Sequence, residues 1–120
     1  MSKKVLIVED DKDFGSILQM KFALEGFEVV LAEDGEDGVG KAATEKPDLI
    51  ISDVLIPKLD GVQMAKKIRE IDKQVPIIFL TNLKDASYID EIKKMGDDYW
   101  VKSDVPIGEI VQKAKAKLKI

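Results

Sequence analysis

Cysteine and histidine are both absent from the sequence. Their absence excludes disulfides, thiolate or imidazole metal sites, and any catalysis of the Ser-His or Cys-His kind. Chemistry must come from carboxylates, lysine and hydroxyls. There is also no long apolar run: Met-Ser-Lys-Lys leads straight into a four-residue strand, so neither a signal peptide nor a membrane span is expected, and the cytoplasm is the natural setting. A surplus of positive charge is missing too. The formal net charge is -4 and the pI is near 4.9, which disfavours non-specific or direct nucleic-acid binding.

What remains is ordinary globular composition. The 120 residues, 45% hydrophobic and 35% charged, fit one domain spanning residues 1–120, with a core that needs no staples. The stretch that organises them is Pro47-Asp-Leu-Ile-Ile-Ser-Asp53-Val-Leu-Ile-Pro57-Lys-Leu-Asp-Gly61. Apolar residues surround Ser52, the run ends in an acid, and a proline and an Asp-Gly pair follow. This predicts a buried strand from Leu49 to Asp53 that opens into a loop with a carboxylate at its tip. An aspartate that merely caps a turn is the plainer alternative.

The first strand, Val5-Leu-Ile-Val8, also ends in acids, Glu9-Asp10-Asp11. Helix one follows from Asp11 to about Gly26, then strand two, Phe27–Ala32, and a second helix from the Glu33-Asp-Gly35 turn to about Lys46. Gly38 and Gly40 lie inside that helix and each costs about 1 kcal/mol relative to alanine, so it is expected to be the least stable. A third helix begins at Asp60-Gly61. Strand four, Pro76–Thr81, ends on a hydroxyl, and Asp85 or Ser87 starts a helix that runs to Met95 and stops at Gly96. Strand five, Tyr99–Lys102, ends on a cation. Helix five, Ile107–Leu118, has an apolar face, and Lys113, Lys115, Lys117 and Lys119 form a solvated one.

Apolar strands alternating with helices predict a doubly wound α/β fold, a parallel sheet covered on both sides. Ligands of such sheets bind beyond the carboxyl ends of the strands. Here those ends carry Glu9-Asp10, Asp53, Thr81 and Lys102. Carboxylates gathered without compensation repel, and oxygen-only donors suit magnesium, or calcium by charge alone, rather than zinc. With such an ion, Asp53 can act as a nucleophile toward phosphorus, while Lys102 and Thr81 supply a charge and a donor to phosphoryl oxygens. Four polar strand ends that simply meet solvent are the bland reading; it suits any one of them better than all four.

In this ordered set the chain resembles the receiver domain of the two-component response-regulator family along essentially its whole length. Glu9-Asp10 resembles its acidic pair, Asp53 its phosphoacceptor, Pro57–Gly61 its proline-to-glycine loop, Thr81 its hydroxyl, Lys102 its lysine and Tyr99 its switch aromatic. The resemblance implies a flavodoxin-like sheet of order 2-1-3-4-5 with five helices. It implies a magnesium ion, with manganese as a substitute, held by Glu9, Asp10, Asp53 and the backbone carbonyl of Leu55. It implies phosphotransfer from a sensor histidine kinase or phosphotransfer protein, and control of a downstream effector by a monomer or a weak phosphorylation-dependent dimer. Thr81 would swing toward the phosphoryl group and let Tyr99 turn inward, reshaping the surface of helix four, strand five and helix five. In the plainer reading Tyr99 is a half-buried strand tyrosine, and Trp100, facing the other way, packs in the core.

The departures from the family pattern also carry expectations. Ser103 stands where proline usually follows the lysine, so that peptide is either trans or strained. Asn82 stands where a small residue is usual. Leu55 and Leu83 are apolar at positions that tune dephosphorylation, which favours a long-lived phosphoryl state. Asp97 adds negative charge near the switch face. Three other readings compete. Gly35-Glu-Asp-Gly-Val-Gly40-Lys41 has the spacing of a nucleotide P-loop, but Ala42 stands where Ser or Thr is needed and two acids would face a triphosphate. A haloacid-dehalogenase-like phosphatase would need a second acid where Leu55 stands. A receiver that no longer accepts phosphate and acts only as a binding module is the third.

Overall fold

The three central strands are short apolar runs whose successive side chains point to opposite faces, and both sets are buried, whereas the two edge strands are mostly half-buried. Val5 and Ile7 enter one cluster while Leu6 and Val8 enter the other, the signature of a sheet covered on both sides. The computed structural model describes residues 2–82, 86–95 and 97–120. Among these, the strands are β1 (Lys4–Val8), β2 (Glu28–Ala32), β3 (Leu49–Ser52), β4 (Ile77–Thr81) and β5 (Asp98–Val101). The helices are α1 (Lys12–Leu24), α2 (Gly35–Glu45), α3 (Gly61–Ile71), α4 (Ala86–Lys94) and α5 (Ile107–Leu118). All strand pairs are parallel, in the order β2-β1-β3-β4-β5, as the resemblance implies. No described helix is long and apolar enough to cross a membrane.

One core layer joins Leu6, Val8, Ile50, Ile77 and Phe79 to Met64, Ala65 and Ile68 of α3 and Ile92 of α4. The other joins Val5, Ile7, Ile51, Ile78 and Leu80 to Leu18 and Phe22 of α1 and Ile110, Val111 and Ala114 of α5. Caps fix the helix starts. Asp11 accepts from the amides of Asp13 and Phe14, and Asp34 from that of Asp37. Asp60 and Gln63 form a reciprocal capping box at α3, an arrangement worth about 1 kcal/mol.

Several expectations are refined. β3 ends at Ser52, so Asp53 is the first residue beyond the strand. Lys102 likewise follows β5 and opens a 3-10 turn, Lys102–Asp104. The starts and stops placed at Asp85 and Gly96, and the tuning position Leu83, lie outside the described residues. The P-loop lookalike is not a loop: α2 begins at Gly35, and Lys41 pairs with Asp37 one turn back at 3.1 Å. The two glycines inside α2, after the one that starts it, also differ. A β-carbon on Gly38 would fall 2.7 Å from Met64 Sδ, whereas Gly40 faces open space, so only Gly38 lets α2 approach α3 and β1 closely. The α5 lysines are less free than a solvated face suggests: Lys115 pairs with Glu25 at 2.8 Å, Lys117 with Asp98 at 3.1 Å, and Lys113 lies over Trp100.

Candidate functional site

The chain crosses from β2 back over β1 to β3, so strand order reverses between β1 and β3, where doubly wound sheets leave a crevice. Register then decides what meets there. Val8 is paired with Ser52, which sets Glu9 beside Asp53, and the Asp53 amide donates to the Val8 carbonyl at 3.2 Å. Two strands further along, Thr81 is paired with Val101, so Lys102 emerges at the same edge.

Lys102 Nζ bridges the two acids, donating to Glu9 Oε1 at 2.7 Å and Asp53 Oδ2 at 3.0 Å. The second Asp53 oxygen accepts from the Leu55 amide at 3.2 Å. The ammonium also lies over the Phe14 ring, 4.4 Å from its centroid. Little water reaches the pair, since the Glu9 and Asp53 side chains are 5% and 13% exposed. Burial pushes the Glu9 carboxyl above its ordinary value against the pull of Lys102. Burial alone would lower Lys102, but the hydrogen bonds and charges of Glu9 and Asp53 outweigh it and hold the amine above its usual range. The site thus keeps a desolvated acid beside a lasting cation.

Thr81 is buried at the end of β4. Tyr99 packs against the layer of α3 and α4, and its hydroxyl is buried without a hydrogen bond among the described residues. Burial, and then the negative charge of Asp53, raises its pKa. Asp10 is not drawn in: it is exposed and makes no polar contact among the described residues. Among those residues no three acidic side chains stand close enough together to hold a metal ion. The donor chemistry nonetheless fits a hard divalent cation, being oxygen only, with one member desolvated and in need of positive charge.

Glycines and a strained lysine shape the loop after Asp53. The Gly61 amide donates to the Val54 carbonyl at 2.7 Å and the Gly35 amide to that of Pro57 at 3.1 Å. Lys58 takes φ 72°, in the left-handed region, and its ammonium lies near Asp34 and Glu36. Two further features escaped the sequence reading. The Ser103 amide, which a proline would lack, donates to Asn82 Oδ1 at 2.9 Å, so the two departures noted at these positions meet each other; their joint occurrence was the only signal. No cis peptide occurs among the described residues, so the peptide before Ser103 is trans. The second feature is the setting of Asp97, the residue just before β5: its side chain is 1% exposed and bonds Arg69 at 2.6 Å.

Comparison with known proteins shows the family and the fold. Residues 5–115 match the family described as response regulator receiver domain. The chain is 39% identical to the alkaline phosphatase synthesis transcriptional regulatory protein PhoP of Bacillus subtilis (strain 168), over 99% of this chain and 50% of that protein. It is 42% identical to the probable transcriptional regulator ycf27 of Guillardia theta, over 87% of this chain and 41% of that one. The chain therefore spans half or less of the length of these relatives. Among solved structures, a two-component response regulator from Clostridium difficile superposes with a TM-score of 0.90 at 30% identity, covering 98% of this chain and 97% of that one. The chemotaxis protein CheY4 of Vibrio cholerae gives 0.86 at 27%, covering 97% and 98%. With nearly its whole length matched, this chain belongs to the response regulator receiver domain family.

Proposed function

We propose that the domain accepts a phosphoryl group on Asp53 from a phosphohistidine of a sensor histidine kinase or phosphotransfer protein, and passes the change to a downstream effector. A carboxylate oxygen of Asp53 forms the new O–P bond as the P–N bond to the donor imidazole breaks, and the electron pair leaves with that nitrogen, which takes a proton from solvent. Lys102 Nζ, now shared with Glu9, is within reach of phosphoryl oxygens on Asp53. The Thr81 hydroxyl supplies a second donor. Glu9, Asp53 and the Leu55 carbonyl would hold magnesium together with Asp10, whose exposed carboxylate would have to turn in to join them; when bound, the ion neutralises charge spread over the phosphoryl oxygens.

The observation that carries this reading is the single ammonium bridging Glu9 and Asp53 from a third strand end. It supports roles for all three residues that no lone aspartate could claim. Thr81 and Tyr99 form the switch in this proposal, through the surface of α4, β5 and α5. Modification there is a local charge change biasing a bistable element. The domain catalyses only its own phosphorylation and dephosphorylation, works in the cytoplasm as a monomer or weak phosphorylation-dependent dimer, and touches proteins rather than nucleic acid.

Intact-mass spectrometry after incubation with magnesium and a small acyl-phosphate donor tests the proposal. One added phosphoryl mass is expected, and it disappears with a chelator and in Asp53→Ala. An adduct that persists in Asp53→Ala, or no adduct on the wild-type chain, overturns it.

A further inference from the structure

Lys102 is held by more than its two acids. Its backbone leaves β5 into a 3-10 turn whose next amide, that of Ser103, is tied to Asn82 on the neighbouring strand end. Its ammonium then crosses to α1, where the half-buried ring of Phe14 lies beneath it, 4.4 Å from centroid to Nζ. Phe14 is placed there by the cap of α1, since its own amide bonds Asp11 Oδ1 at 3.2 Å. A cation at this distance is attracted to the negative face of the ring, more strongly where water is thin.

Even with the ring in place the two contacts are unequal, 2.7 Å to Glu9 and 3.0 Å to Asp53. Without the ring, one side of the ammonium would face solvent or an aliphatic surface, and nothing on that side would oppose its settling onto Glu9. We infer that Phe14 is a positioning residue for phosphotransfer: its ring face fixes the Lys102 ammonium between Glu9 and Asp53. This rests on the reading of Asp53 as phosphoacceptor and adds to it a demand for an aromatic ring on α1. The ring offers neither a donor nor a charge to Asp53 or to the incoming phosphorus; it acts through the lysine.

The experiment compares Phe14→Leu, which keeps an apolar side chain but removes the π face, with Phe14→Tyr, which keeps both. The first readout does not depend on phosphate. In wild type and Phe14→Tyr the Lys102 ε-methylene protons should resonate upfield under the ring current, and in Phe14→Leu that displacement should vanish while core resonances away from the side chains packed on Phe14 stay unchanged. The second is the rate of Asp53 phosphorylation by the acyl-phosphate donor with magnesium. It should fall about five-fold in Phe14→Leu and stay within two-fold of wild type, roughly, in Phe14→Tyr. Unshifted ε-methylene protons in wild type overturn the inference, as does a Phe14→Leu rate equal to wild type or a Phe14→Tyr rate as low as Phe14→Leu. If the wild-type chain shows the upfield shift but takes no phosphoryl group, the phosphoacceptor reading fails instead, and the two failures are distinct.

Discussion

Gly61 sits where α3 begins and touches the strand tip that bears Asp53. A β-carbon there would lie 2.6 Å from the Asp53 carbonyl oxygen, 2.8 Å from Phe79 Cε1 and 2.9 Å from Val54 Cα, whereas ordinary contact starts at 3.4 Å. Two of these are backbone atoms and the third belongs to a fully buried ring, so none can give way cheaply. Its φ is not positive, which leaves steric overlap as the whole cost. Overpacking of this kind costs about 1–3 kcal/mol, and alanine returns at most about 1 kcal/mol of helix propensity, less at a first-turn position. Gly61→Ala is therefore expected to destabilise by about 1–2 kcal/mol net. The strain is relieved by displacing Asp53, and a shift of about 1 Å at a reacting group can cost about 100-fold in rate. Gly40→Ala is the control: nothing lies within 4 Å, so it should stabilise by about 0.5–1 kcal/mol. Urea unfolding at constant m gives both free energies, and phosphorylation followed by intact mass gives the rates. The reasoning is refuted if Gly61→Ala raises the urea midpoint as Gly40→Ala does, or lowers it while phosphorylation proceeds at the wild-type rate.

Three other perturbations have defined outcomes. Tyr99→Phe removes a buried hydroxyl that has no partner among the described residues, so it should leave urea stability unchanged or raise it by up to about 1 kcal/mol; a loss larger than that would mean the hydroxyl is bonded in solution. Asp60→Ala breaks the α3 capping box and should cost about 1 kcal/mol by the same assay, with a neutral result counting against the cap. Asp97 has a raised folded-state pKa, set first by burial and partly offset by Arg69. The folded chain therefore binds that proton more tightly, a contribution full below pH 3.8 and lost as pH rises from 3.8 through the higher folded value. Wild type should accordingly lose stability relative to Asp97→Asn as pH climbs through that window, and a difference that is flat, or grows with pH, contradicts the assignment.

The sequence by itself determined the layers and the polar rim. Uninterrupted apolar runs at Val5–Val8, Leu49–Ile51 and Ile77–Leu80 read as strands buried on both faces, and each gives way to polar residues, as the shorter fifth run does at Lys102. That is why Asp53, Thr81 and Lys102 could be picked out before any coordinates. Local rules reached as far as the caps at Asp11 and Asp60 and the bounds of α5. The tertiary structure decided which polar ends meet. Pairing of Val8 with Ser52 brings Glu9 to Asp53 and leaves Asp10 in solvent, a choice that periodicity cannot make because both acids follow the same strand. It separated Gly38 from Gly40, took Asp97 inside to Arg69, joined Asn82 to Ser103 and laid Phe14 under Lys102. Each of these depends on residues distant in sequence, whereas hydropathy and propensity report only what a residue and its near neighbours prefer.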